Sequence, residues 1–211
     1  MNMKIIKIIN DEEKKKITRT VLEALPEWFG ILESREEYIL DSVGKDFFCA
    51  LEKDKVVGFL YLKQTGKDTI ELAVMGVLKE FHRKGIGRTL FEYAKESVKE
   101  SGYSFIQVKT VKMGMYEDYD RTNQFYISLG FKEFEVLDSL WDENNPCQIY
   151  VMAIWGDKMA STKAYLDFIL GQLSNLEEIT YRSMMKEYIL YYRGKIVGGI
   201  YDDRLLVKPV E

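Results

Sequence analysis

Two glycines flanked by cations carry the clearest chemical signal in this chain. Gly85 and Gly87 follow Arg83 and Lys84 and precede Arg88. They stand where a β-type run, Ile70 to Val77, passes through a short charged turn into a helix-type run. The first N–H groups of a helix have no intrahelical partner, and the peptide dipoles favour negative charge at that end. Without a Cβ, glycine lets an anion approach the main chain closely. The combination specifies a cradle for a pyrophosphate. A P-loop is excluded, because it needs Gly-Lys-Ser/Thr and Gly87 is followed by Arg88-Thr89. A dinucleotide fingerprint is excluded, because position 90, where a third glycine belongs, is Leu.

The elements that hold this cradle follow from periodicity. Ile86, Leu90, Ala94 and Val98 make an i, i+4 apolar stripe, so the helix faces a core until Gly102 stops it. Upstream, Lys4 to Ile9 reads as a strand. A helix then runs from Asp11-Glu12-Glu13 to Leu25 and stops before Pro26, followed by a turn at 26–30 and a helix from Arg35 to Ser42. Phe47–Glu52 and Val56–Lys63 form a hairpin around Lys53-Asp54-Lys55, and Asp68–Val77 leads into the cradle. Downstream lie a strand at Tyr103–Thr110, a helix at Tyr119–Leu129 closed by Gly130, and strands at Phe131–Leu137 and Gln148–Ile154. The fold class is α/β: a mixed sheet flanked by helices over residues 1–155. A second, smaller module at 156–211 begins near Gly156 and Met159, with a helix to Leu173. Three short strands follow, at Glu187–Tyr192, Ile196–Tyr201 and Arg204–Lys208, turning at Arg193-Gly194-Lys195 and Asp202-Asp203.

His82-Arg83-Lys84-Gly85-Ile86-Gly87 resembles motif A of the GNAT acetyltransferase superfamily, Gln/Arg-x-x-Gly-x-Gly/Ala after a strand ending in Val. Phe125-Tyr126-Ile127-Ser128-Leu129-Gly130-Phe131 resembles its Tyr-x-x-x-Gly-Phe, and the order of elements over residues 3–155 is similar to the GNAT layout. One small GNAT branch is matched more closely, through Val108-Lys109-Thr110, Arg121-Thr122-x-x-Phe125-Tyr126, Leu140-Trp141-Asp142 and Asn145-Pro146-Cys147. The segment from Tyr181 to Pro209 resembles the N-terminal domain of the TfoX/Sxy competence regulators, about half of that domain being present. A helix with a three-stranded meander leaves its last edge bare, to be covered by the first domain or by a second copy of the chain.

The GNAT resemblance implies a splayed sheet that admits acetyl-CoA, and transfer of its acetyl group to a primary amine in a ternary complex. It implies that the main chain and side chains of His82, Arg83, Lys84, Gly85, Ile86, Gly87 and Arg88 hold the diphosphate. His82, the only histidine, then serves through its backbone N–H. Val77 offers its N–H to the thioester carbonyl, turned outward by a bulge at Met75-Gly76. Glu71, six residues before Val77, takes the place of the family's general base, directly or through water, unless it points to solvent or pairs with a Lys such as Lys63 or Lys67. Tyr126 takes the place of the acid that protonates the leaving thiolate. Where many GNAT enzymes have an Asn contacting the cofactor, this chain has Tyr119. Trp28, Phe29, Tyr38 and Tyr116 are candidates for an acceptor pocket or for core. The acidic groups Glu33, Glu36, Glu37, Asp41 and Glu117, Asp118, Asp120 suit a polyamine or aminoglycoside-like cation, or form a solvated face. A second function class remains open: an acyl-CoA-binding regulatory protein whose TfoX-like tail contacts a partner.

Composition narrows the classes. Of 211 residues, 46% are hydrophobic and 30% charged, as in an ordinary globular protein. A net charge of −4 argues against a non-specific nucleic-acid binder. Cys49 and Cys147 sit in apolar runs as buried thiols, a disulfide being the less favoured alternative, and two cysteines with one His make no zinc site. The Lys-interrupted start does not read as a signal peptide and no run reaches membrane-spanning length, so a cytoplasmic protein is expected.

Overall fold

Asn10 starts the first helix: its side-chain oxygen accepts the Glu13 N–H, and Asp11, Glu12 and Glu13 fill the first turn, where the helix dipole favours acids. That helix, α1 (Asp11–Glu23), follows strand β1 (Met3–Ile8) in a computed structural model that describes residues 3–142, 144–154, 161–184, 187–201 and 204–209. The chain divides into two compact units, residues 1–154 and 155–211.

In the first unit α2 (Pro26–Phe29) and α3 (Leu32–Asp41) lead to β2 (Asp46–Glu52), β3 (Lys55–Gln64) and β4 (Thr69–Val77). Then come α4 (Ile86–Glu100), β5 (Phe105–Val111), α5 (Glu117–Leu129), β6 (Lys132–Asp142) and β7 (Asn145–Ala153). The expected turn at 26–30 is a short helix because Pro26 occupies its first position, where a missing N–H costs nothing. Lys53 and Asp54, both at positive φ, make the tight β2–β3 turn.

The strands form one sheet in the order β1-β2-β3-β4-β5-β7-β6, antiparallel except for β4 and β5. Two apolar layers cover it. On one face Ile86, Leu90, Phe91, Ala94 and Val98 of α4 pack with Phe48, Leu60, Leu72 and Ile106, so the predicted stripe is fully buried. On the other, Ile17, Val21 and Leu22 of α1 pack with Phe47, Phe59, Tyr61 and Val74. Gly76 allows this second layer to close: a Cβ there would lie 2.8 Å from Val21 Cγ1. The expected Met75-Gly76 bulge is therefore not where β4 is irregular. The β3–β4 register shifts between Tyr61↔Val74 and Leu62↔Leu72, which makes Ala73 the extra residue.

The parallel pairing of β4 with β5 covers only Thr69↔Phe105, Ile70↔Ile106 and Glu71↔Gln107. Beyond Glu71 the two strands part, and the gap between them is what positions the site.

The second unit holds α6 (Lys163–Gln172), capped by the Thr162 hydroxyl, and a sheet of β8 (Ile179–Met184), β9 (Glu187–Tyr192), β10 (Lys195–Tyr201) and β11 (Arg204–Val207) in the order β11-β10-β9-β8. Four strands form where three were expected. The segment Ile179-Thr-Tyr-Arg-Ser-Met184 pairs along the whole of β9, and the four-stranded sheet has a small core of its own around Leu166, Ile169, Leu190 and Ile200. The expected module start at Gly156 and Met159 and the turn at Asp202-Asp203 lie outside the described residues. Among the described residues no helix is long and apolar enough to cross a membrane.

Candidate active site

The gap between β4 and β5 opens into a cleft of about 1530 Å³, which runs from α3 and Glu71 at one end to Gly85–Arg88 at the other. Its floor is main chain. Leu78 N–H donates to Val57 O on β3, 2.9 Å away. Successive peptide groups of a strand point to opposite edges, so the Val77 and Met75 N–H groups face the open edge. The Val77 carbonyl faces the same way, where His82 Nε2 meets it at 2.6 Å. A carbonyl only accepts, so Nε2 carries the proton in this contact. The His82 N–H is already given to Lys79 O at 3.0 Å. The expectation that His82 lends its backbone to an anion is thus corrected: its ring engages the strand, 6.0 Å from the Trp28 ring.

At the cradle, Gly85 is in the left-handed region at φ 79°, and a Cβ there would meet nothing within 4 Å. No side chain caps α4 and no acidic residue lies in its first turn, so its leading N–H groups are directed at the cleft. Arg83 also has positive φ, 57°. Gly87 has a packing task besides the one expected. A Cβ there would lie 3.1 Å from Phe125 Cζ and 3.2 Å from Met75 Cε, so Gly87 seats α4 against α5 and β4. Arg88 donates to Ser128 O at 3.0 Å and Ser128 Oγ at 3.2 Å, which ties α4 to α5. The Lys84 ammonium lies 4.8 Å from the Phe81 ring centroid. Among the described residues Arg83 has no ion-pair partner, so the free cationic charge at this end centres on Arg83 and Lys84.

At the far end Glu71 is largely buried, and its Oε2 accepts from Lys109 Nζ at 2.7 Å and from Gln107 Nε2 at 3.2 Å. Lys63, its partner across β3, turns instead to Asp41. Lys109 and Gln107 lie two apart on β5 and so share the face that Glu71 presents. A strand rises ~3.3 Å per residue, which puts Glu71 and Val77 almost 20 Å apart along β4. Met75 is nearer, at roughly 13 Å.

Tyr126 is 7% exposed and packs with Phe125 and Phe131 while lining the cleft. Burial pushes its phenol above the usual tyrosine range, with Tyr119 adding to the effect. The group stays protonated at neutral pH. Tyr119, in the family's Asn slot, donates its hydroxyl to Trp28 O at 3.0 Å, and burial moves it up to about 12. Trp28 Nε1 returns a bond to Thr122 Oγ1 at 3.1 Å. Together these clip α2 onto α5 across the cleft. Asn123, four residues further on, is fully buried and bonds Val111 O and Tyr119 O.

Trp28, Phe29 and Tyr38 line the cleft; Tyr116 does not. Of the acidic groups only Asp118 lines it, and Asp118 is paired with Arg121 at 2.7 Å. Glu36 is held by both terminal guanidinium nitrogens of Arg19 at 2.6 Å, and Asp41 is shared by Lys63 and Lys45. These clusters are mostly ion-paired surface. Two residues that line the cleft escaped sequence reasoning as site residues: Arg35 on α3 and Lys109 on β5. Lys109 stands in the Val108-Lys109-Thr110 run, but its pairing with Glu71 is a contact between strands that no local pattern encodes. Among the described residues no group of His, Cys, Asp and Glu could hold a metal ion.

Comparison with known proteins gives the same arrangement. Residues 44–133 match the model of the acetyltransferase (GNAT) domain. An uncharacterized N-acetyltransferase, CT2212 of Chlorobaculum tepidum, is 33% identical over 107 residues, which is 50% of this chain. The chain spans 62% of that relative's length. A crystal structure described as a GNAT-family acetyltransferase of Desulfovibrio desulfuricans superposes with a TM-score of 0.63 at 19% identity, covering 72% of this chain and 99% of that one. An aminoglycoside 6′-N-acetyltransferase complexed with coenzyme A gives 0.56 at 19% identity, over 72% and 97%. At these identities the structures bear on the fold, and they agree on it. Residues 44–133, the span that the acetyltransferase (GNAT) domain model matches, contain the cradle and both strands that part around it.

Proposed function

We propose that the protein is an N-acyltransferase that moves the acetyl group of acetyl-CoA to a primary amine by direct attack in a ternary complex. The observation that carries this reading is the parting of β4 from β5 at Glu71, which leaves strand N–H groups facing a cleft that ends on the uncapped, glycine-led start of α4. The amides of Gly85, Ile86 and Gly87, with Arg83 and Lys84, suit a diphosphate. Acetyl-CoA supplies an activated thioester. An amine nucleophile arrives protonated, since alkylamines have a pKa near 10, and so needs a base.

Glu71 is the candidate base, and its distance from the carbonyl site decides how it works. Val77 and Glu71 are too far apart along β4 to serve one reacting centre through a single water. We therefore propose that the Met75 N–H shares the carbonyl-binding role given to Val77, with water carrying the proton on to Glu71. Tyr126, kept protonated by burial, is the candidate donor to the departing sulfur. The reading is tested by thiol release from acetyl-CoA across a panel of amines, together with calorimetric coenzyme A binding. Amine-dependent thiol release is expected. Coenzyme A bound away from Gly85, or no binding at all, overturns the reading.

For residues 156–211 we propose a separate TfoX-like module. Its support is the helix and antiparallel sheet with a core of their own, alongside the sequence resemblance. The outer strands β8 and β11 offer edges for pairing with a second copy, which light scattering on the full chain and on a chain ending at residue 155 would test. A cytoplasmic location is part of the same reading.

A further inference from the structure

We infer that the acceptor is an amine that also carries a carboxylate, and that Arg35 binds that carboxylate at the α3 end of the cleft. This inference rests on the transfer reading above and narrows its substrate.

The first observation is that Glu71 is already taken. Lys109 holds it at 2.7 Å from a strand position paired with Ile149 of β7. A substrate ammonium brought to Glu71 meets a fixed positive charge on the same face. The pair is neutral as a whole, so a purely cationic acceptor, such as a polyamine or an aminoglycoside, finds no unmatched negative charge at Glu71 for its further charges.

The second observation is Arg35. It lies one turn before Tyr38 on α3, so the two share a helix face. Both line the cleft with Glu71 and Lys109. Tyr38 lies within electrostatic reach of Glu71, whose charge is among the causes that push the Tyr38 phenol upward, after burial and Glu37. Arg35 Nε is buried and has no hydrogen-bond partner. Among the described residues Arg35 has no ion pair either, whereas the other cleft cations away from the cradle are matched: Lys79 with Glu27, Arg121 with Asp118 and Lys109 with Glu71. The remaining cleft carboxylate, Asp142, accepts from Asn144 N–H and the Asn145 side-chain amide at the β6–β7 turn. A buried guanidinium N–H without an acceptor is costly, and a carboxylate is the group whose two oxygens fit the guanidinium fork.

Charge accounting therefore favours a zwitterion. Its carboxylate meets Arg35 and offsets that unmatched charge, while its amine approaches the neutral Glu71–Lys109 pair.

The test uses the full chain and matched probes: phenylalanine, β-alanine and 4-aminobutyrate against their carboxamides, with spermidine and kanamycin as cations. Thiol release gives kcat/KM for each. Calorimetry on the coenzyme A-loaded protein gives binding without turnover. At least one acid-bearing amine is expected to exceed its carboxamide by about ten- to a hundred-fold in binding and in kcat/KM, the range of a charge-assisted hydrogen bond. Arg35→Gln should bring that ratio close to one while leaving coenzyme A binding unchanged.

Carboxamides or polycations equal to or better than the acids overturn the carboxylate site and leave acetyl transfer standing. Selective binding of the acid with no thiol release for any amine supports the site and sinks the transfer reading. An Arg35→Gln chain that loses acid and amide equally makes Arg35 a structural residue and also overturns the proposal, as does a panel in which no acid-bearing amine binds or reacts.

Discussion

The two ends of β4 are built by opposite means. At the cradle end the working groups are main-chain amides, supplied by a left-handed Gly85 and a helix that no side chain caps. At the Glu71 end they are side chains: Glu71 of β4, held by Lys109 and Gln107 of β5, and Arg35 of α3, whose Nε has no partner. A backbone site is specified by a few adjacent residues, because strand, turn and helix start are all local events. A side-chain site is specified by which strands are neighbours and in what register. The first tolerates changes of side chain and fails when the backbone is strained. The second tolerates little change of side chain.

That contrast can be broken most directly at the acceptor end. Glu71→Gln keeps shape and hydrogen bonding but removes the base; kcat/KM is expected to fall by about a hundred- to ten-thousand-fold with coenzyme A affinity unchanged, as steady-state rates and calorimetry would show. Affinity falling with rate would mean that the two ends are not separable. Tyr126→Phe should lower kcat by roughly ten- to a thousand-fold if the phenol donates to the sulfur, and unchanged turnover would retire that role.

The cradle end should show the reverse pattern. Gly85→Val forces a β-branched residue to φ 79°, at a cost on the order of 1–3 kcal/mol, with no neighbour within 4 Å of the new Cβ. Coenzyme A affinity is expected to drop by about ten-fold or more, read by calorimetry. Gly87→Ala probes the helix seat instead: Phe125 and Met75 must give way, and a loss on the order of 1 kcal/mol in denaturant unfolding is expected.

The smallest effect reports the charge at Glu71 and Lys109. Burial pushes the Cys147 thiol up from 9.0 to about 11, with Lys109 pulling it down and Glu71 pushing it up. Between those values the folded chain holds a proton that the unfolded chain has released. This contribution to stability is intact below pH 9 and declines as pH rises toward 11. The pH dependence of unfolding for the native chain, minus that of Cys147→Ala, isolates it. Lys109→Met should extend the window to higher pH; no extension would mean that Lys109 does not act on this end of the cleft.

Much of the fold could be read from the sequence, and the reasons are local. The α4 stripe, the Gly102 and Gly130 stops and the positions of the seven large-sheet strands all follow from periodicity and turn chemistry. So do the two buried cysteines. β8 was missed because its outer-strand residues Thr180 to Met184 are exposed and carry no apolar alternation. The bulge was misplaced because Gly76 suggests backbone freedom, whereas its lack of a Cβ is used to admit Val21. The His82 ring contact with a strand carbonyl and the seat that Gly87 gives Phe125 and Met75 were not legible, because both depend on segments that fold against the cradle.

What this sequence determined by itself is the cradle. A strand run, a glycine pair and a helix stripe occur within about twenty residues, and hydrogen-bonding geometry leaves them one arrangement. What only the tertiary structure decided is the company Glu71 keeps. Gln107 and Lys109 reach it because β5 pairs beside β4 over three residues and then diverges, and Arg35 lines the same cleft from α3. Side-chain chemistry between segments so distant in sequence depends on register and packing, and neither is encoded in the neighbouring residues.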